Sequence, residues 1–148
     1  TSGTTYNLST AGTYTVTATY MMVNQNYTLS SATATFDIEV ATTELTATLS
    51  GTGSYDAAEA SAIDVATLTS TFKDDENNPV SLSVTSDYTV EYAVTKGSDT
   101  VDPTEGGGTT YDLSEPGTYT VTATYTMVNT DYTLSSATAT FNIVVDSE

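Results

Sequence analysis

Apolar and polar residues alternate with a period of two along most of this 148-residue chain, the pattern of strands that bury one face and wet the other. Leu45, Ala47 and Leu49 alternate with Thr46, Thr48 and Ser50. Ala66, Leu68 and Phe72 share one parity in the next segment, and Val80, Leu82 and Val84 share one after a turn at Asn78 and Pro79. Tyr88, Val90, Tyr92 and Val94 oppose Thr89, Glu91 and Thr95. Beyond a loop at Gly106, Gly107 and Gly108, Tyr111 and Leu113 mark a short strand. Tyr119, Val121, Ala123 and Tyr125 then alternate with threonines, and Ala137, Ala139, Phe141, Ile143 and Val145 form the last strand. No helical period appears anywhere. Roughly seven short strands joined by turn residues predict an all-β, two-sheet sandwich.

The same pattern occurs twice. Gly3 to Val40 reappears as Gly108 to Val145, with 30 of 38 positions identical at an offset of 105. Self-similarity this close implies a tandem repeat of 105 residues, each period being one unit of folding. One complete unit is expected over residues 41–145. Residues 1–40 are then the C-terminal half of a preceding unit, and residues 146–148 begin the next linker or repeat. A half of this kind cannot bury its apolar face alone. It has to be completed by an upstream half or by strand exchange with another chain.

Composition narrows the function. The net charge is −17, with Lys73 and Lys96 facing 19 carboxylates, so the field repels phosphate backbones and anionic lipid. No nucleic-acid partner and no membrane insertion are expected; no apolar run is long enough to span a bilayer. The chain has no Cys, His or Arg, which removes the usual thiols, imidazole bases and guanidinium clamps of catalysis. No catalytic residue and no cofactor are expected, and the protein is read as not an enzyme. The abundant Thr and 11 Tyr suit a pleated, half-buried surface.

The segment Glu115-Pro116-Gly117-Thr118-Tyr119-Thr120-Val121 resembles the E–F corner of immunoglobulin-type domains, where a tyrosine stands two residues before the inner-facing residue of strand F. Gly12, Tyr14 and Val16 repeat it. Two structural tyrosine corners, at Tyr14 and Tyr119, are what this resemblance implies. The antibody tryptophan is missing, and Tyr92 is expected in its place. Together with the runs from Thr71 to Val80 and from Ala139 to Val145, the unit resembles the bacterial immunoglobulin-like (Big-type) tandem repeats of cell-surface adhesins. The resemblance covers nearly the whole chain and implies an extracellular, cell-surface spacer in contact with neighbouring immunoglobulin-like repeats. It brings no ligand with it.

Several residues are candidates for chemistry. Lys73 and Asn142 could join in an isopeptide bond, but their parity places both in solvent, without the apolar shelter the reaction needs. Asp74, Asp75 and Glu76, close to Asn77, are the candidate calcium ligands; a solvated acidic turn is the favoured reading, because their spacing matches neither an EF-hand nor the interdomain motifs of cadherins. Glu44, Asp146 and Glu148 could hold a junctional ion. Asn7 and Asn26 lie in N-x-Ser/Thr sequons. Thr118, Thr120, Thr122 and Thr124, beside Thr138 and Thr140, form an outward ribbon of the kind that binds ice, or simply a solvent face of good strand formers. The leading expectation is a structural stalk repeat of an extracellular microbial adhesin or filament that projects a distal binding region. The alternatives are a module that binds glycan or protein through Tyr and the loop at residues 97–108, and a strand-exchanging filament subunit.

Overall fold

The computed structural model describes residues 3–147 and divides into two compact units, the first ending at Thr43 and the second beginning at Glu44. The architecture is all-β, with no α-helix among the described residues.

The first unit contains one hairpin. Strand β1 (Gly12–Thr19) pairs antiparallel with β2 (Thr33–Val40), in register from Gly12 opposite Val40 to Thr19 opposite Thr33. β-Branched Thr and Val fill both strands, where their stiff side chains lose little freedom. The ladder runs one bond further through the Tyr20 N–H to Ala32 O, at 2.8 Å. The connection folds back at Asn24, whose side-chain oxygen accepts the Asn26 N–H at 3.0 Å, a local Asx turn that competes with further strand.

The second unit carries β3 (Thr43–Ser50), β4 (Ser54–Asp56), β5 (Ile63–Asp64), β6 (Thr69–Lys73), β7 (Pro79–Val80), β8 (Tyr88–Lys96), β9 (Asp99–Val101), β10 (Thr110–Tyr111), β11 (Gly117–Met127), β12 (Tyr132–Leu134) and β13 (Thr138–Asp146). One sheet has the order β4-β13-β11-β8-β9, and a second has the order β12-β3-β6-β7. β5 and β10 form a separate short pair. All contacts in the large sheet are antiparallel except β4 against β13, which is parallel.

The inward residues of both sheets share one core. Leu45, Leu49 and Phe72 come from the smaller sheet, and Tyr88, Val94, Val121, Tyr125 and Ile143 from the larger. The Phe72 ring meets Tyr88 and Tyr125 edge-on, at centroid distances of 4.8 and 5.5 Å, the favoured geometry for aromatic pairs. Such packing is consistent with a β-sandwich. These three rings hold the centre; Tyr92, expected in the place of a tryptophan, is only half-buried.

Three expected parities change in the structure: Ala137 is exposed at a bend ahead of β13, which begins at Thr138, and Ala66 and Val84 turn outward as well. Ala66 is exposed, because Val65–Thr67 is a 3₁₀ turn that buries Val65 instead. Asp64 sets this turn: its carboxylate accepts the Ala66 N–H at 3.0 Å and the Thr109 hydroxyl at 2.7 Å. Val84 is likewise exposed, because strand pairing stops at Val80 and the chain turns through Ser83 to Asp87.

The unit's entry and exit lie at opposite ends of its long hairpin. The Leu45 carbonyl accepts the Ser135 N–H at 2.9 Å, whereas Val145 lies between Tyr55 and Gly117. The chain bends at Ser135 and Ala137 as it leaves one sheet for the other, and the strand from Thr138 to Val145 then covers about 23 Å at the rise of a strand.

Candidate functional site

The 105-residue offset reproduces structure as well as sequence. β11 pairs with β13 from Gly117 opposite Val145 to Thr124 opposite Thr138, the register of β1 with β2 moved by one period. Local detail follows. The Thr120 hydroxyl donates to Asn142 Oδ1 at 3.0 Å, and the Thr15 hydroxyl donates to Asp37 at 2.7 Å. The Tyr119 hydroxyl donates to the Glu115 carbonyl at 2.7 Å, and the Tyr14 hydroxyl donates to the Thr10 carbonyl at 2.9 Å.

What differs is cover. Nine of the twelve exposed large apolar side chains among the described residues belong to the first unit, far more than scattered surface apolars would give. Val16 is 46% exposed and Phe36 69%, while Val121, the counterpart of Val16, is fully buried. A groove of about 810 Å³ opens on the first hairpin, lined by Tyr6, Leu8, Tyr14, Val16 and Ile38 with neighbouring threonines. The counterparts of those five, Tyr111, Leu113, Tyr119, Val121 and Ile143, are all core residues of the second unit. The groove is thus lined by counterparts of residues that are covered in the second unit.

The edges of the first hairpin are open in the same way. In the second unit β8 lies along β11 and β4 along β13, whereas β1 and β2 pair only with each other. This face, with its edges, is the candidate functional site. Sequence reading expected residues 1–40 to be half of a unit and did not locate the groove, since that requires knowing which counterparts the second unit buries.

The chain matches no protein-family model, no curated protein and no solved structure.

The other candidates stand apart from this face. Lys73 lies on β6 and Asn142 on β13, in different sheets, and both are exposed. Asp74, Asp75 and Glu76 form the tight turn between β6 and β7. Asp74 accepts the Asn78 N–H at 2.8 Å, and Asn77 takes a left-handed φ of 67°. The backbone hydrogen bond from Asn78 holds the Asp74 carboxyl below its usual range, against a smaller opposing effect of desolvation. Its oxygens are therefore occupied with closing a turn. Among the described residues, no three His, Cys, Asp or Glu side chains are grouped to hold a metal ion. Glu44 and Asp146 are exposed; Glu148 lies outside the described residues. Asn7 and Asn26 are exposed, Asn26 at the Asx turn.

The Thr ribbon pairs Thr122 with Thr140 and Thr124 with Thr138. Thr120 and Thr122 are half-buried between β8 and β13, so the ribbon is not a uniformly open plane. Tyr111, which follows the loop at residues 97–108, is buried, and Tyr88 is buried at the far end of β8, opposite Met127. The surface beside that loop is an acidic hollow of about 480 Å³ that includes Asp99, Asp102, Asp112 and Glu115 around Lys96.

Sequence reading also missed two clusters. Lys96 bridges to Glu115 at 3.2 Å and stands 5.2 Å from the Tyr119 ring centroid, a partly exposed pair that contributes little alone. Asp87 clasps two loops, accepting the Ser83 N–H at 2.7 Å and the Asn129 side-chain amide at 3.0 Å. Asp87 accepts from a residue four positions before it, the reverse of an Asx turn, and the Asn129 partner is distant in sequence, so neither contact gives a local signal. Among the described residues, no helix is long and apolar enough to cross a membrane.

Proposed function

We propose that this chain is part of a tandem array of immunoglobulin-like sandwiches that serves as a structural stalk or spacer of an extracellular microbial surface protein. The observation that carries this reading is the placement of Leu45 beside Ser135 and of Val145 at the other end of β13, with about 23 Å of strand from Thr138 to Val145 between them, in a chain whose pattern recurs every 105 residues. A unit entered at one end and left at the other adds length with each copy, whereas a unit with adjacent ends adds bulk.

The immunoglobulin-like reading is supported by the adjacency β8-β11-β13, which corresponds to the C-F-G order of such domains. The Tyr119 hydrogen bond to Glu115, at the start of β11, is supported in the same way by the tyrosine corner of strand F. The net charge of −17 favours a soluble, self-repelling array. Two lysines are also the only trypsin sites in 148 residues, which suits a stalk exposed to proteases.

Small-angle scattering on a chain of four consecutive units tests the reading. The expected particle is a rod whose maximum dimension grows in proportion to the number of units. A dimension that grows only as the cube root of mass, as in a compact cluster, would remove the spacer role.

A further inference from the structure

We propose that the open face and free edges of the first hairpin bind one further segment of the chemistry of Glu44–Gly107, joined ahead of Gly3 as Gly107 is joined to Gly108. The proposal rests on the array reading above and gives the first hairpin a specific partner.

Three observations lead to this occupant. The first is that the hairpin keeps everything the partner would touch. The two copies differ at eight positions, represented in the second unit by Asp112, Glu115, Pro116, Thr126, Thr130, Asp131, Asn142 and Val144, and none of these is buried. Every buried residue from Gly108 to Val145 has an identical counterpart in the first hairpin. Replacement has been confined to surfaces that meet water in the complete unit.

The second observation excludes the chain's own Glu44–Gly107 segment. In the complete unit Leu45 sits beside Ser135, and Val145 is at the far end. Docked on the first hairpin in that manner, Leu45 would have to reach Ser30 while remaining five residues from Val40. Five residues span at most about 17 Å, and the strand to be crossed, Thr33 to Val40, is about 23 Å long.

The third is stoichiometric. Each chain holds one Glu44–Gly107 segment and two hairpins that fit it. Exchange between identical copies moves the segment from one hairpin to another and always leaves one hairpin per chain open. Exchange of this segment with a second copy therefore cannot complete the set.

The register of the missing contacts follows from the complete unit. β11 sets Tyr119 opposite Lys96, Val121 opposite Val94 and Ala123 opposite Tyr92. The added segment would lay its own Tyr88–Lys96 strand antiparallel along β1, with Val94 opposite Val16. Thr10 stands where Glu115 stands in the second unit, so the ion pair of Lys96 would be lost there and its approach to the tyrosine ring kept.

The test places residues 44–107 directly ahead of Gly3 and follows amide hydrogen exchange by mass spectrometry. Peptides from the two hairpins are told apart by Met21 and Thr126. Exchange from Thr13 to Thr19 should slow at least about a hundredfold, toward that of Thr118 to Thr124. A companion chain with Phe72→Asp and Val94→Asp in the added segment alone should return the first hairpin to fast exchange and leave the second unit protected.

Unchanged exchange in the first fusion, or equal protection in the companion, overturns the proposal. So does a 148-residue chain that is already a dimer with protected hairpins, since its occupant would then be a second copy. Scattering on the fusion separates the two readings. A protected hairpin in a compact particle keeps the docking and removes the spacer, and an unprotected hairpin in an elongated particle does the reverse.

Discussion

Tyr119 is 2% exposed and satisfies its hydroxyl on the Glu115 carbonyl, so Tyr119→Phe deletes one hydrogen bond and strands a carbonyl oxygen. The expected cost is about 1 kcal/mol in the unfolding free energy of the second unit, measured by denaturant titration. Tyr14→Phe, the same change in the open hairpin, should leave that transition where it was. Asp87 offers a test by pH. The Ser83 N–H, and after it the Asn129 amide, hold its carboxyl below the ordinary value of 3.8, with desolvation opposing weakly. A lowered folded pKa means stability that is full above 3.8 and lost as pH falls through the folded value. Thermal midpoints measured from about pH 7 to about pH 2 should fall steeply at the acid end, and Asp87→Ala should flatten part of that fall. An unaltered acid limb in the variant would show that the clasp contributes nothing there.

Among the elements, the two hairpins form a matched pair in which only the cover differs. Leu113 is fully buried, and Leu113→Ala should cost about 2–5 kcal/mol in denaturant titration. Leu8→Ala, on the uncovered copy, should move the same transition by less than about 0.5 kcal/mol. Gly12 and Gly117 have nearly equal φ values of +145° and +146°, yet a Cβ on Gly117 would come within 2.8 Å of Lys96 Cε, while one on Gly12 meets nothing within 4 Å. Both substitutions strain the backbone, and only the second also displaces a neighbour. The long strands were legible in the sequence because Tyr119, Val121, Ala123 and Tyr125 keep strict alternation over four turns of the pleat. β4 was not: three residues in parallel with β13 carry no local period. The stretch from Ile63 to Leu68 misled because a 3₁₀ turn at Val65–Thr67 shifts the parity in mid-segment, so Ala66 and Phe72 share a sequence parity without sharing a face. The open groove was not legible, since Tyr6 and Leu8 have the sequence parity of the buried Tyr111 and Leu113 and nothing local marks them as uncovered.

For the whole molecule, 19 carboxylates against two lysines make self-repulsion the chief electrostatic cost of the folded state. Raising the salt from about 10 mM to about 150 mM shortens the Debye length from about 30 to about 8 Å, and the thermal midpoint should rise by a few degrees. A midpoint indifferent to salt would mean that the carboxylates are spaced too widely to interact. The matching registers of β1–β2 and β11–β13 also have a consequence for the gene that encodes them. Joining Thr15 directly to Val121 removes 105 residues and leaves the strand text of a single hairpin, Gly-Thr-Tyr-Thr-Val-Thr-Ala-Thr, unbroken. Crossing over between two such copies therefore deletes or duplicates one whole period at a time and keeps the hairpin's strand sequence in frame. Each such event gains or loses one hairpin together with one complementary segment, so the ratio between open and covered hairpins changes with copy number while the strand register does not.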